Sequence, residues 1–170
     1  MADSLFIGTE DLKDLALIQE NVDDKILEVV TLRVQKAVVR PILGTAFYKR
    51  LSTGIADDDL TAKEVECLED YIQPLMACAC DRKSVKALTY KIMAKTAGKA
   101  QDEHIQAVSE SESVRLEDDI TEDIDIARDD LIGYLCDNID EFATYKTWTQ
   151  NSENRAPFKK KGGANTVSFI

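Results

Sequence analysis

Few side chains in this chain are placed to do covalent chemistry. The single histidine, His104, lies in a polar stretch with no Ser or Cys nucleophile nearby in sequence. A general base needs a positioned partner, so an exposed surface histidine is expected. The four cysteines, Cys67, Cys78, Cys80 and Cys136, include no Cys-x-x-Cys pair and no His cluster to complete a zinc site. They are expected to be reduced, buried and apolar in role, which implies a reducing compartment. Asp57-Asp58-Asp59 offers hard oxygen ligands but lacks the spaced ligands and the glycine of a calcium loop. The acid pairs at 118/119, 122/123 and 129/130 have the composition of a two-metal site, yet at this spacing a solvated helix face is the expectation. No Gly-rich phosphate loop, nucleophile elbow or zinc-protease helix is present in the sequence. The chain is therefore expected to have no catalytic residue, metal or cofactor, and not to be an enzyme.

Charge is the stronger signal. Over 170 residues the formal net charge is −11, from 32 acids and 21 bases. It is unevenly spread: residues 101–145 carry 15 acids against 2 bases, whereas residues 146–170 carry 1 acid against 5 bases. Overall acidity argues against a protein that grips nucleic acid by neutralising phosphates. Lys159, Lys160 and Lys161 form the densest basic run. An acidic segment followed by a basic tail suits head-to-tail association with copies of the chain or with a partner.

The elements carrying these charges read as helices of one domain. A short helix is expected over Thr9–Ile18, after the apolar Leu5-Phe6-Ile7. Asn21 or Asp23 is a plausible N-cap for a helix with Val22, Ile26, Val29/Val30, Val34, Val38 and Ile42 on one face. Pro41 limits its continuation, and Gly44 is placed to stop it with a positive φ. A second short helix, Thr45 to Leu51, would precede a surface loop containing Ser52-Thr53-Gly54 and Asp57-Asp58-Asp59. Thr61-Ala62-Lys63-Glu64 matches a capping box, opening a helix with Val65, Leu68, Ile72, Leu75 and Ala79 on one face, with a kink or two abutting helices at Pro74. Lys83–Lys95 can continue as helix, or residues 89–95 and 103–108 can pair as a hairpin. Ser109–Ser113 reads as loop. Ile120, Ile124, Ala127, Leu131, Leu135, Ile139 and Phe142 then form the most regular helical stripe, ending between Asn138 and Trp148. Thr149–Ile170 has tail composition and closes on Thr166-Val167-Ser168-Phe169-Ile170, an alternation suited to pairing with a sheet edge. No apolar run approaches a membrane span, and no signal peptide opens the chain, so neither secretion nor insertion is expected.

One stretch is more specific than its composition. Asn21-Val22-Asp23, the helix through Val34-Gln35-Lys36-Ala37, and Arg40-Pro41-Ile42-Leu43-Gly44-Thr45-Ala46-Phe47-Tyr48-Lys49-Arg50-Leu51 resemble the neck proteins of tailed bacteriophages. These are the head–tail connector, or head-completion, adaptors. The likeness continues in Tyr71-Ile72-Gln73-Pro74-Leu75 and in Leu131-Ile132-Gly133-Tyr134-Leu135-Cys136-Asp137-Asn138, so it spans roughly residues 10–145. Its signature positions are Gln35, Pro41, Leu43, Gly44, Phe47, Tyr48, Leu51 and Pro74, which are packing and turn residues. The resemblance implies a ring, typically of twelve copies, beneath the portal, prolonging the DNA channel and offering a surface to tail or further neck proteins. DNA would be present only in transit, and the site of action would be the virion neck after synthesis in the host cytoplasm.

The expected fold is thus a mainly α bundle, with a small hairpin within 89–108 and an extended C-terminal arm. Residues 1–20 form an N-terminal arm and short helix, 21–148 the helical domain, and 149–170 the arm. Leu5-Phe6-Ile7 and the tail, with Lys159, Lys160, Lys161, Val167, Phe169 and Ile170, are expected to bind neighbours or partners. Asp118, Asp119, Glu122 and Asp123 are candidates to line the channel and repel DNA phosphates. The other reading is a small acidic intracellular binding protein, such as a nucleic-acid mimic.

Overall fold

The computed structural model describes residues 4–17, 23–83 and 110–145, and among these the regular structure is entirely helical. The fold is mainly α, as the periodicity predicts. The hairpin expected within 89–108, His104 and the arm at 149–170 lie outside the described residues.

Helix α1 (Thr9–Leu15) follows an extended segment and buries Leu12. It stops before the predicted Ile18 because Ala16 is already extended, at φ −100° and ψ 161°. Helix α2 (Asp24–Val34) begins at Asp23, whose carboxylate accepts from the Lys25 amide. That is one of the two caps the sequence offered, and it satisfies a first-turn N–H that no helix can satisfy itself. The inward face is rotated from the expected one. Leu27, Thr31 and Val34 are buried, while Ile26 and Val29 are half exposed.

The rotation has a local cause. A π-turn, Gln35–Val39, separates α2 from α3 (Arg40–Asp57). Each such turn inserts one residue into the helical repeat, so a stripe drawn at constant 3.6-residue period cannot stay in register across it. A second π-turn, Leu68–Ile72, joins α4 (Ala62–Cys67) to α5 (73–83). Both turns end two residues before a proline, Pro41 and Pro74 respectively. Each proline therefore occupies the second position of a new helical segment, where a missing N–H costs least. Pro41 begins a helix segment that it was expected to limit, and at Pro74 a wide turn joins two abutting helices, the second of the two arrangements expected there.

Gly44 breaks α3 internally at φ 72° and ψ 161°, a conformation closed to side chains in practice. The positive φ anticipated from sequence is present. The predicted surface loop at Ser52-Thr53-Gly54 is instead helix, because α3 runs on to Asp57 and ends at Asp58, left-handed at φ 53°. Tertiary contacts override the weak local propensity: Ser52 accepts from the Ser4 amide at 3.0 Å, and Gly54 lies against Leu60.

Thr61 opens α4 with a complete capping box, Thr61 accepting from the Glu64 amide and Glu64 from the Thr61 amide. The long α6 (Glu110–Asp137) starts inside the stretch expected to be loop and ends one residue before the expected range. Asn138 closes it by donating from both backbone and side chain to the Tyr134 carbonyl. Its predicted stripe is correct in phase, with Ile120, Leu131, Leu135 and Phe142 buried. The turn after α6 returns Phe142 and Tyr145 to the core against Phe47, at ring centroid separations of 5.1 and 6.0 Å. Tyr134 stacks on Tyr71 at 4.2 Å and so fixes α6 to the second π-turn.

Candidate interaction surface

Two of the signature positions, Gln35 and Tyr48, meet in one buried joint. Gln35, the first residue of the first π-turn, has no exposed surface. Its side-chain Oε1 accepts from the Phe6 amide, and its side-chain NH2 donates to the Ser4 carbonyl and to the Tyr48 hydroxyl, all at 2.9 Å. Gln73, immediately after the second π-turn, donates to the Phe6 carbonyl at 3.0 Å. The extended segment 4–7 thus has its backbone paired by glutamine side chains, much as a neighbouring strand would pair it. Phe6 and Ile7 are buried, and Phe6 meets the Tyr48 ring at 5.1 Å. This corrects the expectation that Leu5-Phe6-Ile7 reaches a neighbour. Two of these three side chains belong to the chain's own core, because burying them removes a large apolar area from water.

Leu43, Phe47, Tyr48 and Leu51 are likewise buried, whereas Pro41 is exposed and Pro74 half-buried. With Gln35 and Gly44, six of the eight signature positions are therefore inside the fold. A small open concavity at that joint is lined by Lys36, Arg40, Pro41, Gly44 and Thr45, with the Arg40 guanidinium 5.9 Å from the Tyr48 ring centroid.

The acids expected in a solvated loop have a defined structural role. Arg50 clasps Glu64 with two hydrogen bonds, at 2.9 and 2.8 Å, and reaches the Asp59 carboxylate at 2.7 Å and carbonyl at 2.8 Å. Hydrogen bonds from Arg50 to Asp59, and next to Glu64, raise the guanidinium pKa further above its ordinary value. This node ties α3 to α4 across the turn. The capping box was visible in the sequence, but nothing local indicated that Arg50 would share Glu64.

Cys67 and Cys80 are buried thiols with pKa values pushed up to about 12, chiefly by desolvation. Cys78 and Cys136 are only half-buried, which corrects the expectation that all four face the core. All four are free. Asp81, 8 % exposed, accepts from the Leu17 amide at 2.9 Å, and burial raises its carboxyl pKa above the usual range. Among the described residues no group of acids, histidines and cysteines is arranged to hold a metal ion. Among them also, no helix is long and apolar enough to cross a membrane.

Two outward faces stand out. Ile26 and Val29 on α2 and Leu15 at the end of α1 are half exposed, and Leu17 just beyond it is largely exposed. On α6, Asp118, Asp119, Glu122 and Asp123 are all exposed, as the acidic-face reading requires, and Asp129 and Asp130 extend the row. Lys159, Lys160, Lys161, Val167, Phe169 and Ile170 lie outside the described residues.

A family model described as a family of unknown function (DUF6712) matches residues 39–157, and the chain belongs to that family. No curated protein and no solved structure matches it.

Proposed function

We propose that this member of the DUF6712 family is a virion structural protein, a ring-forming adaptor between the portal and the tail of a tailed bacteriophage. In this role it extends the DNA channel and offers a docking surface to tail or further neck proteins. One observation carries the reading. Among the residues that resemble the connector adaptors, Gln35, Leu43, Gly44, Phe47, Tyr48 and Leu51 are buried, and Gln35 is hydrogen-bonded to Tyr48 across the first π-turn. A protomer of a closed ring must hold its two contact faces at a fixed angle, and a buried, hydrogen-bonded joint between helices supplies that rigidity. The polar outer faces and exposed apolar residues on α1, α2 and α6 leave surface for neighbours. The chain's partners in this reading are copies of itself, the portal, and tail or neck proteins, and its chemistry is assembly without catalysis.

The direct experiment is to locate the protein in purified particles of the phage that encodes it. Mass spectrometry of intact virions should find it in multiple copies, and labelled antibody should decorate the neck. A protein missing from particles, or spread over the capsid shell, would exclude the adaptor role. Tight inhibition of a DNA-binding enzyme by a monomer would instead favour the nucleic-acid mimic.

A further inference from the structure

The outer face of α6 carries an anomaly. At 100° per residue, Asp119, Glu122, Asp123, Ile126, Asp129 and Asp130 fall on one stripe opposite the buried Ile120, Leu131 and Leu135. Ile126 lies at the centre of this stripe and is 55 % exposed. With carboxylates around it, Ile126 gives this face the apolar centre and charged rim of a small docking surface. Two cations lie by the five acids of the row: Arg128 pairs with Asp125 at 2.9 Å and with Asp129 at 3.6 Å, and the exposed Arg115 precedes Asp119 by one turn, so the face keeps a net negative charge.

The same chain carries a segment of opposite pattern. Arg155-Ala156-Pro157-Phe158-Lys159-Lys160-Lys161 places one large apolar residue among four cations. The helix offers acids, an isoleucine and acids; the tail offers a cation, a phenylalanine and cations. From Tyr145 to Phe158 the chain has a contour of roughly 45 Å, enough to leave its own subunit.

We infer that the Arg155–Lys161 segment of one copy docks on the Asp119–Asp130 face of α6 in the next, with Phe158 against Ile126 and the lysines among the carboxylates. Because the two complementary surfaces are different parts of one chain, the contact is head-to-tail, the kind that closes into rings. This rests on the ring reading above and names the subunit contact within it. It also gives the α6 acids a neighbour's lysines as partners in place of the channel lining suggested by sequence.

The test uses full-length protein and charge exchange. Self-association would be measured by sedimentation and native mass spectrometry for the wild type, for K159E/K160E/K161E, for D119K/D123K/D130K, and for the two sets combined. Circular dichroism would confirm equal helix content. Each reversal should weaken association at least tenfold, and their combination should recover most of the loss. Raising salt from about 0.05 to 0.5 M should weaken the wild type, since exposed pairs are screened. I126D should weaken association without any change in net tail charge. Unchanged association in both reversals, or no recovery in the combination, overturns the contact while leaving a ring built through other surfaces. A wild type that stays monomeric at every concentration overturns both.

Discussion

At the scale of single residues, stability is concentrated at a few buried polar groups. Gln35 satisfies three partners, two of them backbone groups of the segment 4–7. Gln35→Ala leaves those groups without their partners, and each such loss costs about 1–3 kcal/mol. Urea unfolding should show a drop of roughly 2–4 kcal/mol with an unchanged m-value. Gln35→Glu keeps the acceptor but removes both donors, so it should recover only part of that loss. Gly44→Ala places a side chain at φ 72° and should cost about 1–3 kcal/mol through backbone strain alone. Asp81 supplies a pH signature. Burial raises its folded-state pKa, so the native state binds this proton more tightly than the unfolded chain. That contribution is present at pH below the unfolded carboxyl value and is lost as pH rises through the raised folded value. Asp81→Asn keeps an oxygen for the Leu17 amide and should therefore melt higher than wild type at pH 7. The gain should disappear near pH 3, where both side chains are neutral. A variant that gained equally at both pH values would show that desolvation of the charge is not the cause.

At the scale of elements, what was legible in the sequence was whatever has a local cause. Asp23 and the Thr61–Glu64 box announce helix starts because their side chains act within three residues of themselves. The α6 stripe kept a constant period and was correctly phased from Ile120 to Phe142. The inward face of α2 was misplaced by one residue because nothing in the composition of Gln35–Val39 marks a π-turn. Pro41 reads as a limit to its helix and Pro74 as a kink or a junction of two helices; the wide turn before each is a tertiary solution that periodicity does not encode. The helical course of Ser52-Thr53-Gly54 depends on contacts with Ser4 and Leu60, the first of them 48 residues away in sequence. The joint between α3 and α4 depends in the same way on Arg50 reaching Glu64. Glu64→Ala removes a box member and the bidentate partner of Arg50 together. It should destabilise by about 2 kcal/mol or more, whereas Thr61→Ala, which loses only the cap, should cost about 1 kcal/mol. Thermal melts of the two variants would check that order.

At the scale of the whole molecule, the two ends of the chain have different standing. The first residues expected to form an arm are instead core, so deletion of residues 1–7 should lower stability sharply by removing Phe6 and Ile7. Deletion of residues 149–170 should leave the helical signal and the melting temperature nearly unchanged while abolishing assembly. Loss of fold on that second deletion would contradict the arm. The charge asymmetry of the sequence, an acidic 101–145 followed by a basic 146–170, acquires a geometric meaning once the acids of α6 are found in one exposed row. In the proposed contact it marks the two halves of an interface between copies. The central claim is that this chain closes into a ring beneath a portal. Native mass spectrometry of the full-length protein, alone and mixed with its portal, tests it most directly. A single closed oligomer of fixed copy number, twelve by the resemblance, bound one to one to the portal ring is the predicted result; a monomer under every condition that ignores the portal would contradict it.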